Sequence, residues 1–285
     1  MTSYLNPYIG KSVLKNNSIK DSYILTIQYA LDGLCFIIFD YNEQKFLALK
    51  HYIINDHEAP LESILLELQE REAWKLKEFS RINFLIDNSY STFIPSQYYD
   101  IKLKSDYLRI QNIPHNTQIE VDTISIYDFF NIYPIENNIT EVISNFCENV
   151  TIRHASSVLI CSLIKNFSSR NPEIRAFVNV KNNYFELTVI NNCNLILHNY
   201  FHYNTKEDFL YFILFTFEQL KIDNETIPMY FLGMIEEDSP IVKLSSKYIR
   251  NIRFFNRDNN FQYIKELYSI QYGHYYTLYN SVLCE

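Results

Sequence analysis

Three β-rich runs joined by turns of two or three residues, then a stretch of helical periodicity and a further strand: this order occurs twice in the chain and leaves few folds open to it. The first copy reads Ser22–Ala30, Leu34–Asn42 and Lys45–Ile54, parted by Leu31-Asp32-Gly33 and by Glu43-Gln44. Such short turns between β-branched and aromatic runs make antiparallel hairpins, here a three-stranded meander. A helix is expected from Pro60 to Lys77, because Leu61, Ile64, Leu65, Leu68 and Glu72 recur at helical spacing, and a strand over Arg81–Asp87. The second copy has Ala176–Lys181, Tyr184–Asn191 and Leu195–Tyr203, a helix from Thr205 to Leu220, and a strand over Pro228–Leu232. Thr205 and Asp208 form an approximate capping box at the start of that helix. Its Phe209, Leu210, Phe212, Ile213, Leu214, Phe215 and Phe217 predict a helix buried between layers. The repeat predicts an α/β protein of two related lobes, each a mixed sheet covered by helices.

Between the two copies the pattern predicts a short helix over Leu103–Gln111, a strand over Ile124–Tyr133 and a helix over Ile139–Cys147. A strand over Val150–Arg153 and a helix over Ser156–Ser168 follow. Beyond the second copy, Ser239-Pro240 starts a helix, Ile252–Phe255 is a strand and Phe261–Tyr268 a helix. Residues 1–20 read as a flexible N-terminal arm. The expected division is therefore an arm over 1–20, a first lobe over 21–149 and a second over 150–285, which suits a chain of 285 residues.

Composition narrows the function. Hydrophobic residues at 47% supply a core, and a net charge of −8 argues against a phosphate-dominated nucleic-acid surface. No apolar run is long enough to span a membrane, and the polar start does not resemble a secretion signal. Five widely spaced cysteines (Cys35, Cys147, Cys161, Cys193, Cys284) suit reduced thiols, so the expected location is cytoplasmic. Glycine is scarce, with four in 285 residues against the usual ~7%, whereas loops that wrap phosphate rely on it. His198 and His202 lie too far apart on a strand to share a metal and read as surface or edge residues, and Asn55-Asp56-His57-Glu58 reads as a polar loop. Glu236-Glu237-Asp238 complements a helix dipole. Tyr272, Tyr275, Tyr276 and Tyr279 read as packing, with a partner site as the alternative. No metal and no cofactor is expected.

The doubled βββαβ order is the layout of the actin-like ATPase superfamily, built on the ribonuclease H-like fold. The segments ILTIQYALDGLCFIIFD, NYFELTVINNCNLILHNYFHYNTKEDFLYFILFTFEQL and PMYFLGMIEEDSPIVKLSSKYIRNIRFF resemble an uncharacterised bacterial family, domain of unknown function 3822, over residues 20 to 285. That family is grouped with actin-like proteins, the type IV pilus assembly members among them. In active relatives an Asp followed by glycines sits at the first turn of each lobe and grips phosphate and magnesium-bound water. The matching places here are Gln28-Tyr29-Ala30, with Asp32 and Gly33 further on, and Asn179-Val180-Lys181-Asn182-Asn183. The adenosine-contacting glycine pair is reduced to Leu232-Gly233-Met234. An amide holds Mg²⁺ poorly where a carboxylate would hold it. The resemblance thus implies a degenerate cleft without ATP hydrolysis, and a scaffold or regulatory role with a protein partner. Two alternatives stay open. One is an ATP-binding protein with a divergent grip made by Asp32, Asp87, Lys181 and Gly233 at strand ends. The other is a small-molecule enzyme using the cleft between the lobes.

Overall fold

The computed structural model describes residues 5–12, 19–30, 33–56, 58–124, 127–168 and 173–284. In chain order these form β1 (Leu5–Ser12), β2 (Tyr23–Ala30), β3 (Gly33–Asp40), β4 (Lys45–Ile54), α1 (Leu61–Glu72), β5 (Arg81–Ile86), β6 (Thr92–Pro95), β7 (Thr117–Ile124), β8 (Phe129–Glu136), α2 (Ile139–Phe146), β9 (Val150–His154) and α3 (Ala155–Phe167). There follow β10 (Ile174–Val180), β11 (Tyr184–Asn191), β12 (Asn194–His202), α4 (Lys206–Gln219), β13 (Pro228–Gly233), α5 (Pro240–Ser245), β14 (Asn251–Phe254), β15 (Gln262–Tyr263) and α6 (Tyr276–Asn280). The chain divides into two compact units. One comprises Met1–Leu159, Asp258–Ile270 and Thr277–Glu285, the other Ile160–Arg257 and Gln271–Tyr276.

The main sheet of the first unit has the order β1-β4-β3-β2-β5-β9, with β15 also paired to β4. Strands β2, β3 and β4 are antiparallel, while β2, β5 and β9 are parallel, so one row across the sheet reads Leu49, Ile37, Thr26, Asn83, Thr151. Tyr23–Ile27 of β2 are all buried, as expected of a central strand covered on both faces. Helix α1 buries Leu61, Ile64, Leu65 and Leu68. Glu72 lies on the same stripe because it receives Lys50 Nζ at 2.6 Å and the Tyr52 hydroxyl, both from β4. The helix stops there instead of reaching Lys77, since Ala73 turns left-handed with φ 56°. A separate three-stranded sheet, β6-β8-β7, is inserted between β5 and α2.

The sheet of the second unit, β12-β11-β10-β13-β14, has the same plan: an antiparallel meander and two parallel strands beside its first member. One face carries Ala176, Val178, Val180, Phe185, Leu187 and Val189 into a core with Phe209, Ile213 and Phe217 of α4. Each aromatic ring fully buried there contributes about 1.5–3 kcal/mol. Thr205 Oγ1 accepts from the Asp208 N–H and Asp208 Oδ2 from the Thr205 N–H, closing the capping box.

Several expectations need correcting. The segment read as an arm contains β1, which main-chain bonds hold antiparallel to β4, with Leu5 fully buried. Helix α4 is one-sided: Tyr211 and Phe215, stacked at 5.8 Å, are 59% and 45% exposed. In place of the helix expected over Leu103–Gln111 there is a 3₁₀ turn at Asp106–Leu108, preceded by another at Ile101–Leu103, and Phe261–Tyr268 holds β15 and the start of a further 3₁₀ turn. The strand expected over Ile124–Tyr133 is broken, Asp128 at φ 58° separating β7 from β8. His198 does lie on the edge strand, but its ring is buried. Tyr272, Tyr275, Tyr276 and Tyr279 are all buried, as packing requires.

Candidate functional site

Strand ends of parallel sheets are where α/β folds bind ligands. In the first unit three such ends meet. The Asp87 N–H donates to the Tyr29 carbonyl at 2.9 Å, extending the β2–β5 ladder by one residue, and Gln28 Nε2 donates to Asp87 Oδ2 at 2.6 Å. Next to Asp87 in sequence, Asn88 Oδ1 lies 3.3 Å from His154 Nε2 at the end of β9. The other ring nitrogen, Nδ1, accepts from the Ser156 N–H at 3.2 Å, which caps α3 and assigns the ring proton to Nε2. Gly33 belongs to β3, where an added Cβ would lie 3.1 Å from His51 Nε2 and 3.2 Å from the Tyr52 carbonyl, so it serves close strand packing. Asp32 lies outside the described residues, as does His57 of the polar loop.

Behind these strand ends Asp122 accepts from the His154 N–H at 2.8 Å, from the Tyr133 hydroxyl at 2.9 Å and from Ser157. Burial pushes its carboxyl above the ordinary range although those three hydrogen bonds pull it down. Burial and the Asp122 charge likewise raise the Tyr133 phenol. Burial and Glu136 push Tyr29 up to about 12. Asn131 Nδ2 donates to Ser157 Oγ at 2.8 Å, while its fully buried Oδ1 has no hydrogen-bond partner among the described residues. The imidazole is held at both nitrogens and the carboxylate at both oxygens, so the cluster braces β7, β8, β9 and α3 and presents no base aimed at open space. The sequence reading missed Asn88, Asp122 and His154. The available signal was a polar residue at the end of a strand followed at once by a helix.

In the second unit the structure gathers Asn179, Lys181 and Gly233. Asn179 Nδ2 donates to Glu186 Oε1 at 3.2 Å across the β10–β11 hairpin. Glu186 is 1% exposed, and its second oxygen lies 3.9 Å from His198 Nε2, whose Nδ1 is 2.9 Å from Thr188 Oγ1. The Lys181 N–H donates to the Tyr184 carbonyl at 2.9 Å, and the Lys181 carbonyl accepts from the Tyr203 hydroxyl at 3.1 Å. Gly233 has φ 81°, and a Cβ there would sit 2.2 Å from the Val180 carbonyl and 2.5 Å from Asn179 Oδ1. The polar groups at this strand end therefore bind one another. Among the described residues no cluster of His, Cys, Asp and Glu is placed to hold a metal ion, and no helix is long and apolar enough to cross a membrane.

Comparison with solved structures agrees with this topology. A Bacteroides thetaiotaomicron protein with actin-like ATPase fold and unknown function is 16% identical over 88% of this chain and 97% of its own, with a TM-score of 0.71. A structure of the PilM–PilN type IV pilus biogenesis complex is 8% identical over 90% of this chain and 96% of the matched one, with a TM-score of 0.61. These likenesses establish the actin-like ATPase fold. No curated protein matches the sequence. Residues 14–252 match a family described as "protein of unknown function (DUF3822)", and with most of its length inside that match the chain belongs to this family.

Proposed function

We propose that the protein is a non-hydrolysing member of the actin-like fold that works in the cytoplasm as a protein-binding scaffold or regulatory partner. The observation that carries this reading is the Asn179–Glu186 pair. At the place where active relatives carry a magnesium-holding aspartate, an amide stands bonded to a buried carboxylate. The amide is a weak ligand for the hard cation that accompanies a triphosphate, and the carboxyl beside it is buried and already engaged by that amide. The Lys181 N–H is engaged by the Tyr184 carbonyl, which removes a donor from the turn that would face phosphate. In the first unit Gln28 and Asp87 bind each other in the same self-contained manner. PilM, of similar fold, occurs in a complex with PilN, which is the kind of role proposed.

Thermal unfolding with Mg·ATP and Mg·ADP tests the reading. A ligand at 100 times its Kd adds about 2.7 kcal/mol to the folded state. The expected result is an unchanged Tm with either nucleotide, together with recovery of a stoichiometric protein partner from native cells. An upward shift with Mg·ATP that Gln28→Ala or Asn179→Ala abolishes would overturn it in favour of nucleotide binding.

A further inference from the structure

We infer that the β14 edge of the second unit, with the adjoining turn of α5, receives an acidic extended segment of a partner protein. This rests on the protein-binding reading above and names the chemistry of the partner. β14 ends the order β12-β11-β10-β13-β14 and is bonded to β13, and no strand among the described residues covers its other side. An open edge presents a row of main-chain donors and acceptors, which another extended backbone matches residue by residue. The sequence around this edge is of one sign. Residues 240–257 include Lys243, Lys247, Arg250, Arg253 and Arg257 and no Asp or Glu, in a chain of net charge −8.

The local structure puts charge on both faces of the edge. Ile241 and Leu244 of α5 pack on the same core as Ile252 and Phe254 of β14, so α5 covers that face of the strand. Main-chain bonds from the Lys247 N–H to the Leu244 carbonyl and from the Ile249 N–H to the Ser245 carbonyl carry the helical turn past α5. Lys243 and Lys247 therefore stand one turn apart on one side. Both are exposed, and neither ammonium has a partner among the described residues. Alternation along β14 turns Arg253 to the opposite face. There its guanidinium lies 5.6 Å from the Tyr230 ring centroid and donates to the Tyr230 hydroxyl at 2.9 Å, a neutral partner that leaves its charge uncompensated. Arg250 is set apart, since it pairs with Glu225 at 3.3 Å. Charge on an edge strand deters pairing with the same strand of a second copy, whereas opposite charges on neighbouring strands attract. Successive side chains of an added strand fall on alternate faces, so neighbouring carboxylates meet Arg253 on one face and Lys243 and Lys247 on the other. An anionic membrane surface supplies the charge without the backbone.

The test uses the 285-residue chain and a fluorescein-labelled peptide of alternating valine–threonine and glutamate–glutamate pairs, followed by fluorescence anisotropy. The expected result is saturable binding that falls as salt screens the charges. It should weaken about tenfold when Lys243→Gln and Lys247→Gln are combined, and several-fold in Arg253→Gln, with the protein still folded. Lys206→Gln, which removes one charge at the start of α4, should leave it unaltered. A proline-substituted peptide of equal charge lacks main-chain donors and should bind much more weakly. Equal binding of that peptide overturns strand addition, as does binding that neither the lysine pair nor Arg253→Gln alters. Co-sedimentation with phosphatidylserine vesicles that the same substitutions abolish, without peptide binding, overturns it in favour of a membrane surface. Failure of the peptide to bind overturns this surface and leaves the scaffold reading standing, which melting with Mg·ATP decides separately.

Discussion

Gly233 is the residue whose identity the backbone dictates most sharply. Its φ of 81° suits glycine, and its α-carbon passes so close to β10 that any Cβ would meet the Val180 carbonyl and the Asn179 amide. Gly233→Ala should therefore destabilise the protein by more than about 3 kcal/mol, read by urea denaturation, because strain and a backbone clash act together. Asp122 offers a different measurement. Its carboxyl is raised above the ordinary 3.8, so the folded state keeps the proton to higher pH than the unfolded chain does. The stability this contributes is fully present below that ordinary value and is lost as pH rises through the raised one. Asp122→Asn cannot titrate, so the stability of the natural protein relative to this variant should fall as the pH rises above the ordinary carboxylate value, until the raised one is passed. A flat or rising difference would show that the carboxyl is not raised.

Among the elements, α4 shows how far local chemistry reaches. Its cap is reciprocal, Thr205 and Asp208 each bonding the other's main-chain N–H, and Thr205→Ala should cost about 1 kcal/mol in unfolding free energy. The Asp208 carboxyl is held below its ordinary range by the Asn204 and Thr205 main-chain groups and the Thr205 hydroxyl. That capping is present above the unfolded value and disappears as pH falls through the depressed one. This start was legible in the sequence, as were both meanders and the α1 stripe, because all rest on short-range periodicity and turn length. The outward face of α4 was not legible: aromatic content alone cannot distinguish Phe209 and Phe217, fully enclosed, from Tyr211 and Phe215, which stack on each other in the open. β1 and β15 escaped for another reason. Both are held along β4 by main-chain bonds, which leave no pattern of side chains to read. At the candidate site, Gln28, Asp87, Asn179 and Gly233 were placed at strand ends correctly. Glu186 faces Asn179 across the β10–β11 hairpin, whereas His154 reaches Asn88 through crossover geometry that no local window contains.

For the molecule as a whole, the same sheet plan appears in both units, a meander followed by two parallel strands. The plan is maintained by buried strands such as Tyr23–Ile27 and Phe185–Ile190 and does not by itself specify an activity. Both units also draw on late residues. Ser281 bonds Thr26 across 255 positions, β15 pairs with the start of β4, and Tyr276 accepts from Asn166. Closure over such separations is slow, and it has to wait for the residues that perform it. A chain made only as far as residue 257 therefore lacks a piece of each unit, and neither can mature before residues 258–285 have been added. The fragment 1–257 should be rapidly cut by protease where the 285-residue chain resists, and the growing polypeptide should depend on chaperones until residues 258–285 are in place.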